Sequence, residues 1–211
     1  MSRRGRAAAV AAAGAGLLGA SFTAAPGSRG FYALTASTAA VWFAGGLVCG
    51  PRRVVRRRRI RPSEVTVPLA TGFAAFGVFR AVQPVAERVP VLRGALARVR
   101  DYATAGAPGP TLLTTLVNGV AEEVFFRGGF HAVAGRAPVV TTTLAYVLVT
   151  TATRNPALVG ASAVMGLLLG SQRRATGGVL APALTHVVWS SLMFRDLLRR
   201  ADSRAECGHG Q

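Results

Sequence analysis

Two adjacent carboxylates sit where carboxylates are costly. Glu122 and Glu123 lie in the middle of an apolar stretch running from Thr111 to Ala134, and they are two of only eight acidic residues in the chain. A charged side chain near the centre of a bilayer costs roughly 2.5–3.5 kcal/mol or more, so such groups carry a partner or a function. Successive helical residues turn by about 100°, which puts Glu123 and Arg127 on one face with the glutamate on the favourable N-terminal side. Glu122 points elsewhere. One carboxylate is then neutralised by the arginine while the other stays available, and a carboxylate left unpaired in such a setting suits a general base or acid. The alternative is that both glutamates pair with arginines and simply lock helices together. His186 lies inside a later apolar run, Gly178–Phe194, with Ser190 one turn on along the same face. A lone histidine in an apolar helix also serves as a satisfied core residue. His131 falls on roughly the opposite face from Glu122, and His209 lies in the tail. Arg154 and Asn155 form a further polar pair just before Pro156, where a loop between spans is the alternative.

Seven apolar stretches are available to position these residues: 7–25, 31–50, 65–86, 111–134, 138–153, 156–170 and 178–194. The longer ones reach the roughly 20 residues that a membrane span needs. The fold expected is an all-α integral membrane bundle of about seven transmembrane helices around a polar intramembrane site. The first stretch follows three arginines and also fits a signal peptide, with small residues near Ala25. Residues 87–101 carry Val89, Leu92, Leu96 and Val99 at helical spacing between arginines. This pattern suits an amphipathic helix on the membrane surface or a solvated connector. The organisation expected is a helical hairpin with an Arg-rich loop (1–61), a third span with its amphipathic helix (62–110), a core (111–198) and a polar tail (199–211).

Composition agrees with a membrane protein. The chain has 211 residues, 51% of them hydrophobic, yet a formal charge of +17. Its mean hydropathy is +0.39. Apolar spans joined by charged loops reconcile those figures. Disorder is excluded by the hydrophobicity, and a disulfide scaffold by the presence of only two cysteines. All 25 basic residues are arginine, which with the abundant alanine points to a GC-rich bacterial source and a bacterial cytoplasmic membrane. Seven arginines crowd residues 52–61 directly after a span. They mark a cytoplasmic loop and are placed to meet anionic lipid head groups. Seven spans starting inside would put the basic C-terminus outside, against the positive-inside tendency.

The stretch Ala121-Glu-Glu-Val-Phe-Phe-Arg-Gly128 resembles the Glu-Glu-x-x-x-Arg-Gly signature of the CPBP family, the CAAX prenyl protease and bacteriocin-processing (Abi) intramembrane proteases. His186 in Leu180-Ala-Pro-Ala-Leu-Thr-His186 resembles a later family histidine. The resemblance spans roughly Thr111 to Phe194. It implies that Glu122 activates a water, that Glu123 and Arg127 support it, and that His186 positions the water or stabilises the oxyanion. Two positions depart from the pattern. The Phe-x-x-x-His motif corresponds to Thr151-Ala-Thr-Arg-Asn155, so asparagine replaces a histidine and cannot take up a proton near neutral pH. The closing His-x-x-x-Asn (or Asp) motif reads His186-Val-Val-Trp-Ser190.

No cofactor follows from the residues. A divalent metal such as zinc enters only through the resemblance, since family members are often called metalloproteases. Catalytic zinc takes three protein ligands, and the sequence brings only Glu122 and His186 toward one point. The expected function is a membrane-embedded endopeptidase acting on a peptide or protein substrate near the membrane surface. The alternatives are a non-catalytic relative that binds a peptide or protein partner, and a small proton-coupled transporter. Nucleic-acid binding is not expected, because the arginines are spread over several loops and no recognition motif is present.

Overall fold

The chain folds into helices wherever the apolar stretches occur. The computed structural model describes residues 1–50 and 61–208, so the arginine loop at 52–60 and His209 lie outside the described residues. In chain order the helices are α1 (Arg3–Ser21), α2 (Arg29–Cys49), α3 (Ser63–Arg88), α4 (Pro90–Thr104), α5 (Pro108–Glu122), α6 (Pro138–Thr150), α7 (Pro156–Thr176) and α8 (Leu180–Gly208). No strand occurs among the described residues.

Local chemistry sets the boundaries. Ser2 and Ser28 cap α1 and α2 by accepting the backbone N–H of Gly5 and Phe31. Pro90, Pro108, Pro138 and Pro156 each open a helix, where the missing N–H would have no partner in any case. Gly177 ends α7 in the left-handed region at φ 71°.

The glutamates fall at a change of helix type. α5 ends at Glu122 and continues as a π-helix, Glu123–Phe130, then a short 3-10 turn, His131–Val133. π geometry is rare and occurs mostly as single-turn bulges, frequently at functional sites. This π-helix and α5 pack against α2, whose Trp42 is fully buried and stacks on Phe125 with ring centroids 5.1 Å apart. Gly46 of α2 and Gly129 of the π-helix meet backbone to backbone. A Cβ on Gly129 would lie 2.7 Å from the Gly46 carbonyl oxygen. Small residues at such crossings are how helices approach closely in lipid.

α6 packs on α7, α1 on α2, and α3 on α8. α2 and α3 are long and apolar enough to cross a membrane, and Pro138–Thr153 is a shorter apolar segment. The other apolar stretches sit within helices of a different kind. α1 begins on three arginines, and α5 has only 15 residues before its geometry changes. The amphipathic segment begins at Pro90 rather than Glu87, because the chain is extended at Val89.

Candidate active site

Glu123 is the hub of the buried polar cluster. The π-helix carries it and Arg127 into the bundle, both with no exposed surface. Arg127 Nη1 donates to Glu123 Oε1 at 3.1 Å, the pairing that the four-residue spacing predicts. Arg127 Nη2 also reaches the Gly166 carbonyl of α7 at 3.5 Å, and its guanidinium lies 4.8 Å from the centre of the Tyr146 ring. His186 of α8 shares the same carboxylate oxygen, with Nδ1 2.9 Å from Glu123 Oε1. A carboxylate accepts, so Nδ1 carries the proton and the ring's other nitrogen, Nε2, is turned away from Glu123.

Glu122 is held separately. Asn118 Nδ2 donates to its Oε1 at 3.0 Å, and the Tyr146 hydroxyl of α6 donates to its Oε2 at 2.7 Å. No arginine reaches it among the described residues. The two carboxylates therefore divide as the helix geometry suggests, one neutralised by Arg127 and one left to polar neighbours. The histidine, however, hydrogen-bonds to the second glutamate and not to the first.

Glu122 and His186 both line one cavity of about 270 Å³, together with Asn118, Gly119, Tyr146 and Ser190. Its walls extend to Phe22 and Tyr102, near the end of the bundle where α1 finishes and α4 lies. Gly119 makes the histidine's position feasible. A Cβ there would stand 3.3 Å from both Cδ2 and Nε2 of His186, tighter than ordinary van der Waals contact.

Asn155 is placed elsewhere. It is 2% exposed and caps α7, its Oδ1 accepting from the N–H groups of Ala157 and Leu158. Its Nδ2 donates to the Ala95 carbonyl of α4 at 2.9 Å. These bonds tie α4 to the start of α7, and Asn155 does not line the cavity. Ser190 does line it, one helical turn beyond His186. His131 lies in the 3-10 turn after the π-helix, outside the cavity lining.

Sequence reading missed three residues. Asn118 was accessible to it, since a polar residue four positions before Glu122 shares its face. Gly119 and Tyr146 gave no such signal, because their roles arise from contacts across helices. The donor set does not fit a zinc ion. Among the described residues no three His, Cys, Asp or Glu side chains are grouped to hold a metal. Glu123 Oε1 and His186 Nδ1 already satisfy one another.

Fold and site together define a helical protein with a buried Glu–Glu–Arg–His cluster, of which Glu122 and His186 line a cavity. Residues 105–192, which contain all of that cluster, match the family model Rce1-like, described as Type II CAAX prenyl endopeptidase Rce1-like. This family is one of integral membrane proteases, and the match agrees with the resemblance carried by Glu122, Glu123 and Arg127. No curated protein and no solved structure matches the chain.

Proposed function

We propose that the chain is a membrane-embedded endopeptidase that cleaves a peptide bond near the membrane surface, with Glu122 as the base. The carrying observation is that Glu122 lines a cavity with His186 while Arg127 is committed to Glu123. A carboxylate has about four acceptor sites, and Asn118 and Tyr146 use two of them. The remaining lone pairs can take a proton from a water in the cavity as its oxygen attacks the scissile carbonyl carbon. The same carboxyl then returns that proton to the departing amide nitrogen.

His186 is the electrophilic partner in this scheme. Glu123 holds its Nδ1–H and so orients the ring. When the ring is doubly protonated, Nε2–H donates to the oxyanion developing on the carbonyl oxygen. Arg127 balances Glu123 so that the carboxylate is tolerated without exposed surface. Tyr146 and Asn118 fix the Glu122 rotamer, and Ser190 supplies a further hydroxyl to the cavity wall.

The wider reading places seven helices across a bacterial cytoplasmic membrane, with α4 on its surface. The substrate is a bacterial peptide, in maturation or self-immunity, rather than a prenylated protein. The test is cleavage of a fluorogenic peptide panel by purified protein. Glu122→Ala is expected to lower kcat by about 10²–10⁴-fold, the contribution of a general base. An unchanged kcat overturns the assignment.

One observation favours a second reading, a binding protein that no longer cleaves. By the resemblance, Asn155 stands where the family's second motif, Phe-x-x-x-His, has its histidine, and it serves as a helix cap. Under this reading Glu122→Gln leaves partner capture intact and no peptide in the panel is cut by the unmodified chain.

A further inference from the structure

A second, larger cavity lies beside the first. It has a volume of about 570 Å³ and is lined by α3, α4, α7 and α8. That size falls within the roughly 300–1,000 Å³ usual for small-molecule sites. Neither Glu122 nor His186 lines it, although Val99, Ala161, Met193 and Leu197 form a wall common to both cavities.

Its walls are of two kinds. Val78, Val82 and Val164 line it and are each more than half exposed, 59%, 55% and 53%. In a bilayer such valines face acyl chains, so the cavity is open sideways to lipid. Its rim on α4 is basic. Arg93 and Arg100 line it seven residues apart, hence on one helix face. Among the described residues neither guanidinium makes a hydrogen bond or ion pair; their backbones bond within α4 and to Val89. Arg200 also lines the cavity, but it is engaged by Asp196 at 2.7 Å, and Glu87 is the one carboxylate in the lining.

An apolar chamber reached from the lipid, with two unengaged guanidinium groups at its edge, matches one ligand chemistry. We propose that this cavity binds an acyl chain of an anionic phospholipid, with Arg93 and Arg100 on its phosphate. Arginine forks suit phosphate oxygens, and the amphipathic α4 sets them at head-group depth above an apolar chamber. The site does not depend on proteolysis. Its shared wall means that a seated chain buttresses Met193 and Leu197, which also line the cavity of Glu122.

Tryptophan fluorescence tests it on the full chain. Trp189 packs edge-on against Phe79, with ring centroids 5.1 Å apart, and Phe79 lines the second cavity. A bromine on an acyl chain seated there quenches Trp189 at short range. The protein is reconstituted in phosphatidylcholine vesicles containing increasing amounts of brominated phosphatidylglycerol or brominated phosphatidylcholine. Quenching by the phosphatidylglycerol is expected to saturate at a mole fraction at least tenfold lower. Arg93→Gln with Arg100→Gln raises that midpoint by about 25-fold, roughly fivefold per arginine removed from an anionic head group.

Gly160→Leu is the second variant. Gly160 lines the cavity with open space before its Cβ position, and leucine is the better helix former, so the change fills the chamber without opposing the fold. It is expected to abolish the saturable component. Three results overturn the proposal: equal quenching by the two lipids, saturable quenching that survives Gly160→Leu, or stoichiometric displacement of the bromolipid by a lipidated peptide. The last would assign the chamber to substrate.

Discussion

Gly119 separates packing from chemistry more cleanly than any charged residue in the site. Alanine in a helix interior is favoured over glycine by roughly 0.5–1 kcal/mol, so Gly119→Ala is expected to hold or raise thermal stability. Its methyl group would press on Cδ2 and Nε2 of His186 from 3.3 Å, and the ring must shift by a few tenths of an ångström. Under the protease reading kcat therefore falls while the melting temperature does not. A joint fall in both would show that His186 is not held against Gly119. Arg127 behaves in the opposite way. Its removal leaves Glu123 buried without its guanidinium, so Arg127→Met is expected to destabilise the protein by about 3–5 kcal/mol, read as loss of the folded fraction in detergent melts. Replacing Glu123 by Gln in the same chain should recover part of that loss, because the orphaned charge goes with it.

At the scale of elements, the junction between α6 and α7 is the informative one. Asn155 caps α7 and reaches across to Ala95 of α4, while Arg98 of α4 donates to the Arg154 carbonyl at 2.8 Å. Arg154 itself adopts the left-handed region at φ 52°, which turns the chain sharply between the two helices. Asn155→Ala removes a helix cap and is expected to cost about 0.5–2 kcal/mol of stability. Measured per folded molecule, its cleavage activity should match the unmodified chain, because the side chain is not in the cavity. Asn155→His should give the same stability loss and no gain of activity. A rise in kcat with histidine would mean that position 155 can reach Glu122, and that the placement of this junction is wrong.

The whole molecule has two unlike ends. One gathers Arg4 against the Val133 carbonyl, together with Arg136 and Arg173–Arg174, and its arginines have few acidic neighbours. The other joins the end of α1 to α4 through Tyr102, which donates to the Phe22 and Ala24 carbonyls, and adds the C-terminal part of α8. There the arginines are interleaved with acids, as in the Arg80–Asp196–Arg200 network. If the first end is cytoplasmic, as its arginines favour, the proposed seven-span arrangement places the C-terminus on the opposite side. A reporter fused after Gln211 is then expected to score as non-cytoplasmic, and one inserted in the 51–61 loop as cytoplasmic. Matching signals from the two fusions would reduce the span count to an even number.

The sequence by itself determined the helical class and the two helices long and apolar enough to cross a membrane, because apolar run length is a local property. It also determined the Glu123–Arg127 pair, since four residues on a helix are neighbours whatever surrounds them, and the family match over residues 105–192 contains that pair. It could not assign His186 to Glu123 rather than Glu122. Both carboxylates are within a turn of one another, and only the packing of α8 against α5 and the π-helix selects between them. Tyr146 reaches Glu122 from α6, and Asn155 turns away toward α4, for the same reason. A side chain's neighbours across helices depend on how the helices cross and rotate, and no spacing along the chain encodes that.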